Sequence, residues 1–266
     1  MNRKTIFFDI DGTLLGTRDG KLFQAPESTF LALDKLKRSG HRIAVCSGRQ
    51  DKFIRHFFPG VFDSFVASNG AQVVVDGKTV RDRMFPEEQI RSLMARFDAY
   101  GCRYLFVGKD HAWGRGMDSL PEETEEELRQ SYFFPGFMVM DWKPRDVSAN
   151  MMDFIFLSDA EYESQRGAFS DGMVLNRHPG QASADLSVEG NNKADGIRSF
   201  LEYAGIPREN AVAFGDGYND IAMMKAVGCG VAMGNAVDEV KRAADYVTAD
   251  LFDGGISLGL EHLGLI

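Results

Sequence analysis

Phe7-Phe8-Asp9-Ile10-Asp11-Gly12-Thr13-Leu14 is the stretch from which the rest of the chain is best read. An apolar, strand-like run over residues 5–10 ends in two carboxylates one residue apart, and a glycine follows at once. Strand side chains alternate between faces, so Asp9 and Asp11 would share a face if the strand continued. Gly12 permits a sharp bend, which leaves both acids at the carboxyl end of a buried strand. Ligands bind at that end in open α/β sheets. Two carboxylates that close repel, so a cation or a proton is expected between them. The pattern Asp-x-Asp-Gly-Thr arises by chance on the order of 10⁻⁵ times per starting position. Alone, the stretch also fits a strand end followed by an ordinary Asp-Gly turn.

At 266 residues the chain is long enough for one large domain or two medium ones. Hydrophobic residues make up 44%, enough for a substantial core, and a 26% charged share is ordinary for a soluble protein. A net charge of −9 argues against a nucleic-acid partner and against docking on an anionic membrane, while leaving room for a local basic pocket. Cys46, Cys102 and Cys229 are widely spaced, fit no metal-ligand pattern and point to a reducing compartment. Met1 leads into a charged segment without a signal peptide, and no apolar run approaches a membrane span. The expectation is a cytoplasmic, soluble protein with no membrane, nucleic-acid or obligate protein partner.

From 27 to 39, Phe30, Leu33 and Leu36 recur at helical spacing, and Gly40 follows as a stop. The pattern predicts a strand over 42–46 ending in Ser47-Gly48-Arg49, a helix over 52–58 and a strand over 64–67. Such alternation belongs to a parallel sheet covered on both faces. The rhythm then changes. Residues 72–75 and 78–80 flank Asp76-Gly77 as a two-residue hairpin, and a helix over 87–100 follows with Ile90, Leu93, Met94 and Phe97 on one face. Strands are expected over 104–107, 152–157 and 173–176, with helices near 122–132 and 159–169. Residues 83–184 therefore read as an inserted α+β domain between two halves of a core, 1–82 and 185–266. After 185–188 the core rhythm resumes. Lys193 opens a helix that stops at Gly205, and a strand over 211–214 ends in Gly215-Asp216-Gly217-Tyr218-Asn219-Asp220. Alternating helices and strands continue to 248.

Three core strands thus end in polar clusters: Asp9 with Asp11, Ser47-Gly48, and Asp216 with Asn219 and Asp220. Carboxyl ends of parallel strands share one edge, so clusters distant in sequence converge there. Together with Lys193, these segments resemble the four motifs of the haloacid dehalogenase superfamily, in order and spacing over essentially the whole chain. The insertion, with Ser68-Asn69-Gly70-Ala71 before it, is similar to that of the Cof-type sugar phosphatases of subfamily IIB. The resemblance implies a Rossmann-like doubly wound parallel sheet with an inserted α+β cap of the C2 type. It also implies a Mg²⁺-dependent phosphatase acting on small phosphorylated metabolites, sugar phosphates foremost.

Residue roles follow from the same resemblance. Asp9 is the implied nucleophile, forming an aspartyl-phosphate. Asp11 is implied to protonate the leaving oxygen and then to take a proton from water. The Asp9 side chain, the Asp11 backbone carbonyl and the Asp216 side chain are the implied Mg²⁺ ligands, a hard oxygen set completed by water and phosphate. Ile10, Ser47, Gly48, Lys193 and Asn219 are implied to contact phosphate or substrate, Lys193 also holding Asp9. Asp220 is implied to orient Lys193 or a metal-bound water. Physics asks for the cation as well. At about 4 Å and an effective dielectric of roughly 20, two unit anions repel by about 4 kcal/mol, roughly a thousandfold in rate.

Plainer readings stand beside these. Ser47-Gly48 alone fits a capped strand-to-helix turn, and a lone lysine is ordinarily a solvated surface residue. The acidic run 122–127 reads as the solvated face of a helix. Trp113, Phe133, Phe134, Phe137 and Trp142 read as core of the inserted domain. Arg49 reads either as an aid to phosphate binding or as an ordinary exposed helix-start arginine, and Arg177 and His178, near the return to the core, are expected within reach of a substrate. A phosphotransferase or phosphomutase using the same aspartyl-phosphate is the alternative enzyme. A non-catalytic phospholigand-binding protein is the alternative from another class, and the intact Asp9, Asp11, Lys193 and Asp216 weigh against it.

Overall fold

In a computed structural model the described residues are 3–118, 120–132, 136–169, 172–178, 183–188 and 190–266. The chain divides into two compact units, Met1–Asp82 with Gly190–Ile266, and Arg83–Glu189. Phe133 and Phe134 lie outside the described residues.

The first unit grows from β1 (Thr5–Phe8), whose four residues are all buried. A polar ribbon of β2 (Gly16–Arg18) and β3 (Lys21–Gln24) follows, then α1 (Glu27–Arg38) and β4 (Arg42–Cys46). Next come α2 (Asp51–Phe57), β5 (Phe65–Ala67), β6 (Gln72–Val75) and β7 (Lys78–Asp82). The β6–β7 hairpin turns on Asp76 and Gly77, whose φ values of 49° and 77° supply the two left-handed residues such a turn needs.

The second unit contains α3 (Glu87–Ala99), β8 (Arg103–Val107), β9 (Ala112–Arg115), α4 (Glu122–Ser131) and β10 (Met138–Val139). It continues with β11 (Met151–Ile155), α5 (Asp159–Gln165), β12 (Met173–Arg177) and β13 (Ser183–Val188). Among the described residues its sheet has the order β10-β9-β8-β11-β13-β12. Alternation along β8 sends Tyr104 and Phe106 into one apolar cluster, with Trp113 and Trp142, and Leu105 and Val107 into another, with Phe137. α4 keeps its glutamates at the surface, where Arg129 pairs with Glu125 and Glu126.

β13 corrects the expected domain boundary. Asp185 pairs across β11 with Asp153 and across β12 with Asn176, so residues 185–188 belong to the second unit. The return to the first unit falls at Gly190 instead. An alternating strand looks alike in either sheet, and only its pairing partners settle where it belongs.

Back in the first unit come α6 (Lys193–Ala204), β14 (Ala211–Gly215), α7 (Asp220–Ala226) and β15 (Cys229–Ala232). The chain ends through α8 (Asp238–Ala243), β16 (Tyr246–Val247) and α9 (Gly255–His262). Among the described residues this sheet runs β16-β15-β14-β1-β4-β5-β6-β7, parallel from β16 to β5 and antiparallel from β5 to β7. It is a doubly wound α/β sheet with β1 between β4 and β14, so the ends of those three strands lie side by side. Ile197, Phe200 and Leu201 of α6 and Met223 of α7 pack on Phe7, Ala44, Val66 and Ala213. The Phe200 ring meets Phe7 edge-on, with centroids 5.0 Å apart, and truncating a buried ring of this kind costs about 3–5 kcal/mol. Among the described residues no helix is long and apolar enough to cross a membrane.

Candidate active site

β1 ends at Phe8, and there Asp9 and Asp11 diverge. The Asp9 amide still donates to the Phe214 carbonyl at 2.9 Å, which keeps Asp9 at the sheet edge, only 5% exposed. Three amides, those of Thr13, Leu14 and Leu15, then close onto the Ile10 carbonyl. The Ile10 side chain is fully buried, so a ligand contact at this position falls to its backbone. Gly12 has φ +82°, and an added Cβ would stand 2.0 Å from Oδ2 of Asp216. Only glycine meets both demands.

Lys193 reaches Asp9 from α6. The helix opens with a capping box in which the Asn192 side chain accepts from the Asp195 amide at 3.0 Å and Asp195 accepts from the Asn192 amide at 3.2 Å. That makes Lys193 the first helical residue, at 1% exposure. A cation at a helix N-terminus opposes the helix dipole. Two carboxylates hold it there, Asp9 Oδ1 at 2.7 Å and Asp220 Oδ1 at 2.6 Å. Burial works against the ammonium, but Asp220 and then Asp9 outweigh it and hold Lys193 well above the usual lysine range.

Asp220 is committed on both oxygens. Its Oδ2 accepts the amides of Asp216 and Gly217 at 2.8 and 2.9 Å, while Oδ1 takes Lys193. Asp216 is fixed by the Thr13 hydroxyl, which donates to its Oδ1 at 2.8 Å. Asp9, Asp216 and Asp220 each bring a carboxylate oxygen within 4.8 Å of the others. Three carboxylates therefore face one ammonium. Burial first, then repulsion from Asp220, pushes Asp9 up to about 7. Burial and the charge of Asp9 likewise push Asp216 upward. Hard oxygen donors with surplus negative charge fit a divalent cation. Asp9 Oδ2 and Asp216 Oδ2 are the oxygens outside the bonds just described, whereas the bonds on Asp220 make it a poor ligand and a good anchor for Lys193.

The structure does not bring the Asp11 side chain into this cluster. Arg49 Nε and Nη2 donate to Asp11 Oδ2 and Oδ1 at 2.9 and 2.8 Å. The guanidinium also lies over the rings of Phe53 and Phe23, 4.6 and 5.3 Å from their centroids. Each of the two acids thus has its own side-chain cation, Lys193 for Asp9 and Arg49 for Asp11. Sequence reasoning missed this pairing, and its only signal was a basic residue directly behind Ser47-Gly48. It also missed Thr13 as the anchor of Asp216, and Asn235, whose Nδ2 donates to the Gly12 carbonyl at 2.8 Å.

Ser47 is 1% exposed, and its hydroxyl accepts the Arg49 amide at 3.1 Å; the N-cap of α2 is Gln50, so Ser47 braces the turn without capping the helix. Gly48 lies in the same turn. Asn219 precedes α7, half-buried, and its Nδ2 donates to Asn69 Oδ1 at 3.3 Å. Arg177 and His178 belong to the second unit, where Arg177 pairs with Asp159 at 2.8 Å and His178 stands 3.5 Å from Asp185.

The profile of the haloacid dehalogenase-like hydrolases matches residues 6–260. YkrA of Bacillus subtilis (strain 168) is 32% identical over 267 residues, spanning all of both chains. Pyridoxal phosphate phosphatase YbhA of Escherichia coli (strain K12) is 48% identical over 271 residues, covering 94% of each chain. Among solved structures, the HAD subclass IIB sugar phosphatase BT4131 superposes with a TM-score of 0.82 at 27% identity, over 99% of this chain and 100% of its own. The chain belongs to the haloacid dehalogenase-like hydrolases and is a phosphatase of that family.

Proposed function

We propose that this phosphatase hydrolyses small phosphorylated metabolites, sugar phosphates first among them, with Asp9 as nucleophile and Mg²⁺ as cofactor. The observation that carries the reading is a buried carboxylate, Asp9, held 2.7 Å from a buried ammonium at the carboxyl edge of a parallel sheet. An oxygen of Asp9 attacks phosphorus, the bond from phosphorus to the ester oxygen breaks, and Asp11 delivers a proton to that oxygen. Water then attacks the phosphorus of the aspartyl-phosphate and Asp11 takes its proton. The bond between phosphorus and the Asp9 oxygen breaks, releasing phosphate and the free carboxylate.

Lys193 sets the position of Asp9 and offsets negative charge on the phosphoryl oxygens. Ser47, Asn219 and the amides of Ile10 and Gly48 are the remaining donors to those oxygens. Asp9, Asp216 and the Asp11 backbone carbonyl would hold Mg²⁺, which when bound neutralises nucleophile and phosphoryl group as the two anions approach. Arg49 grips Asp11 as a carboxylate, the state that accepts the proton of water. Leaving Arg49 frees Asp11 to carry a proton to the departing oxygen.

BT4131 is named a sugar phosphatase and YbhA a pyridoxal phosphate phosphatase, and both names describe small phosphate monoesters. Three free cysteines, Cys46, Cys102 and Cys229, support a cytoplasmic setting. The test is kcat/KM with Mg²⁺ over hexose phosphates, pentose phosphates and pyridoxal phosphate, beside a folded phosphoserine protein. Small esters should win. Preference for the protein would sink the proposed substrate class.

A further inference from the structure

Between β5 and β6 the chain runs through two consecutive non-glycine residues in the left-handed region, Ser68 and Asn69, each with φ 50°, before Gly70 at φ 95°. L-residues avoid that region, and such strain persists only where the surroundings impose it. Here they do. The Asn69 amide donates to the Ser47 carbonyl at 3.1 Å, and the Ser68 amide donates to the Arg49 carbonyl at 3.1 Å. Gly70 presses against α6 so closely that a Cβ would stand 2.1 Å from the Asn192 carbonyl oxygen. The turn is therefore clamped between the Ser47 loop and the helix start that carries Lys193.

Glycine would take the Asn69 backbone geometry without strain. What the asparagine adds is its carboxamide, on a residue only 2% exposed. That carboxamide does little for its own turn: Nδ2 is enclosed and has no acceptor among the described residues. Its Oδ1 accepts from Asn219 Nδ2 at 3.3 Å. An asparagine facing an anionic phosphoryl group must present its NH₂ and not its carbonyl oxygen. An acceptor behind Asn219 takes one N–H of that amide and so fixes which of its two ends is the nitrogen.

We infer that Asn69 is a positioning residue for phosphate recognition, acting through Asn219: its Oδ1 holds the Asn219 amide with the nitrogen toward the phosphoryl oxygens. The inference rests on the proposed phosphatase reading, in which Asn219 donates to the phosphoryl group. A residue of this kind governs affinity for phosphate more than the chemical step, and its effect disappears when Asn219 is absent.

The experiment is a double-mutant cycle on the full chain with Mg²⁺, reading the competitive inhibition constant of inorganic phosphate against p-nitrophenyl phosphate. Asn69→Gly should retain the fold, because glycine accepts φ 50° freely, and should weaken phosphate by roughly 3- to 10-fold, the worth of one hydrogen bond. It should raise KM by a similar factor with little change in kcat. Asn69→Ala repeats the measurement should the glycine variant prove unstable. In an Asn219→Ala background the Asn69 substitution should change nothing further. Unchanged phosphate affinity in both Asn69 variants would overturn the inference alone, as would factors that multiply independently in the double variant. If Asn219→Ala itself leaves phosphate affinity intact, the assignment of Asn219 fails and the inference falls with it.

Discussion

Arg49 holds both carboxylate oxygens of Asp11, at 2.9 and 2.8 Å, while Lys193 holds Asp9 two residues earlier at 2.7 Å. Two acids adjacent in one turn are thus anchored to cations from different elements, one behind β4 and one opening α6. The arrangement separates their tasks. Asp9 is buried and fixed, whereas Asp11 is partly exposed, with 42% of its side-chain surface open.

Asp11→Asn should lower turnover of an alkyl phosphate by about 10²–10⁴-fold, the usual worth of proton transfer. The loss should be smaller for p-nitrophenyl phosphate, whose leaving group needs no proton. Arg49→Gln should cost less than Asp11→Asn, and the double variant should be no slower than Asp11→Asn. Equal losses on both esters would give Asp11 a different task.

Asp9→Asn should cut turnover by about 10³-fold or more, as loss of a nucleophile does. Its circular dichroism spectrum should match the parent's. Phosphate release within about tenfold of the parent would remove Asp9 from the nucleophile's role.

Lys193→Met leaves Asp9 and Asp220 buried without their cation, and breaking such a pair costs about 3–5 kcal/mol. The sign with pH is set by the carboxylates. Without the ammonium the folded pKa of Asp9 rises further above its unfolded value, so the folded state binds more protons. Stability of the variant should increase as pH falls from 7 to 5, narrowing the gap to the parent in urea unfolding. A deficit constant across that range would mean the acids do not carry it.

Metal and pH should be linked. Without metal, Asp9 titrates at about 7 in the fold, against roughly 3.9 for an aspartate in an unfolded chain. The folded state then holds a proton that the unfolded chain has released, so metal-free stability should fall as pH rises from about 4 to 7. Mg²⁺ needs the carboxylate, and its gain in melting temperature should be larger at pH 8 than at pH 5.5. Chelation should abolish turnover, Mg²⁺ should restore it, and Ca²⁺ should substitute poorly because it prefers looser geometry. An equal thermal gain at both pH values would contradict the assignment of Asp9 as a ligand.

Gly12→Ala tests the turn itself. The left-handed backbone costs an alanine about 1–2 kcal/mol, and the new methyl meets Asp216 Oδ2 at 2.0 Å unless something moves. Thermal stability should drop and Mg²⁺ affinity should weaken together. Weakened stability with unaltered Mg²⁺ affinity would separate Asp216 from the metal.

The sequence by itself determined the local half of this protein. The run into Asp9, the helix that Lys193 opens and Gly205 closes, and the Asp76-Gly77 hairpin all follow from short-range physics: periodicity, capping and left-handed turn residues. Those rules also placed the polar clusters on the carboxyl edge of one parallel sheet. Residues of β2, β3, β9, β10 and α9 escaped because such short or weakly patterned segments carry little periodicity.

Pairing was decided by tertiary structure alone. Strand β13 could read as core or insertion until its partners β11 and β12 were known. Arg49 looked like an ordinary helix-start arginine until the fold brought it to Asp11, 38 residues away in the chain. Thr13 meets Asp216 across 203 residues and Asn69 meets Asn219 across 150. Hydrogen bonds and ion pairs act over a few ångströms of space and leave no period in the chain, so which cation holds which acid is settled only when the strands are side by side.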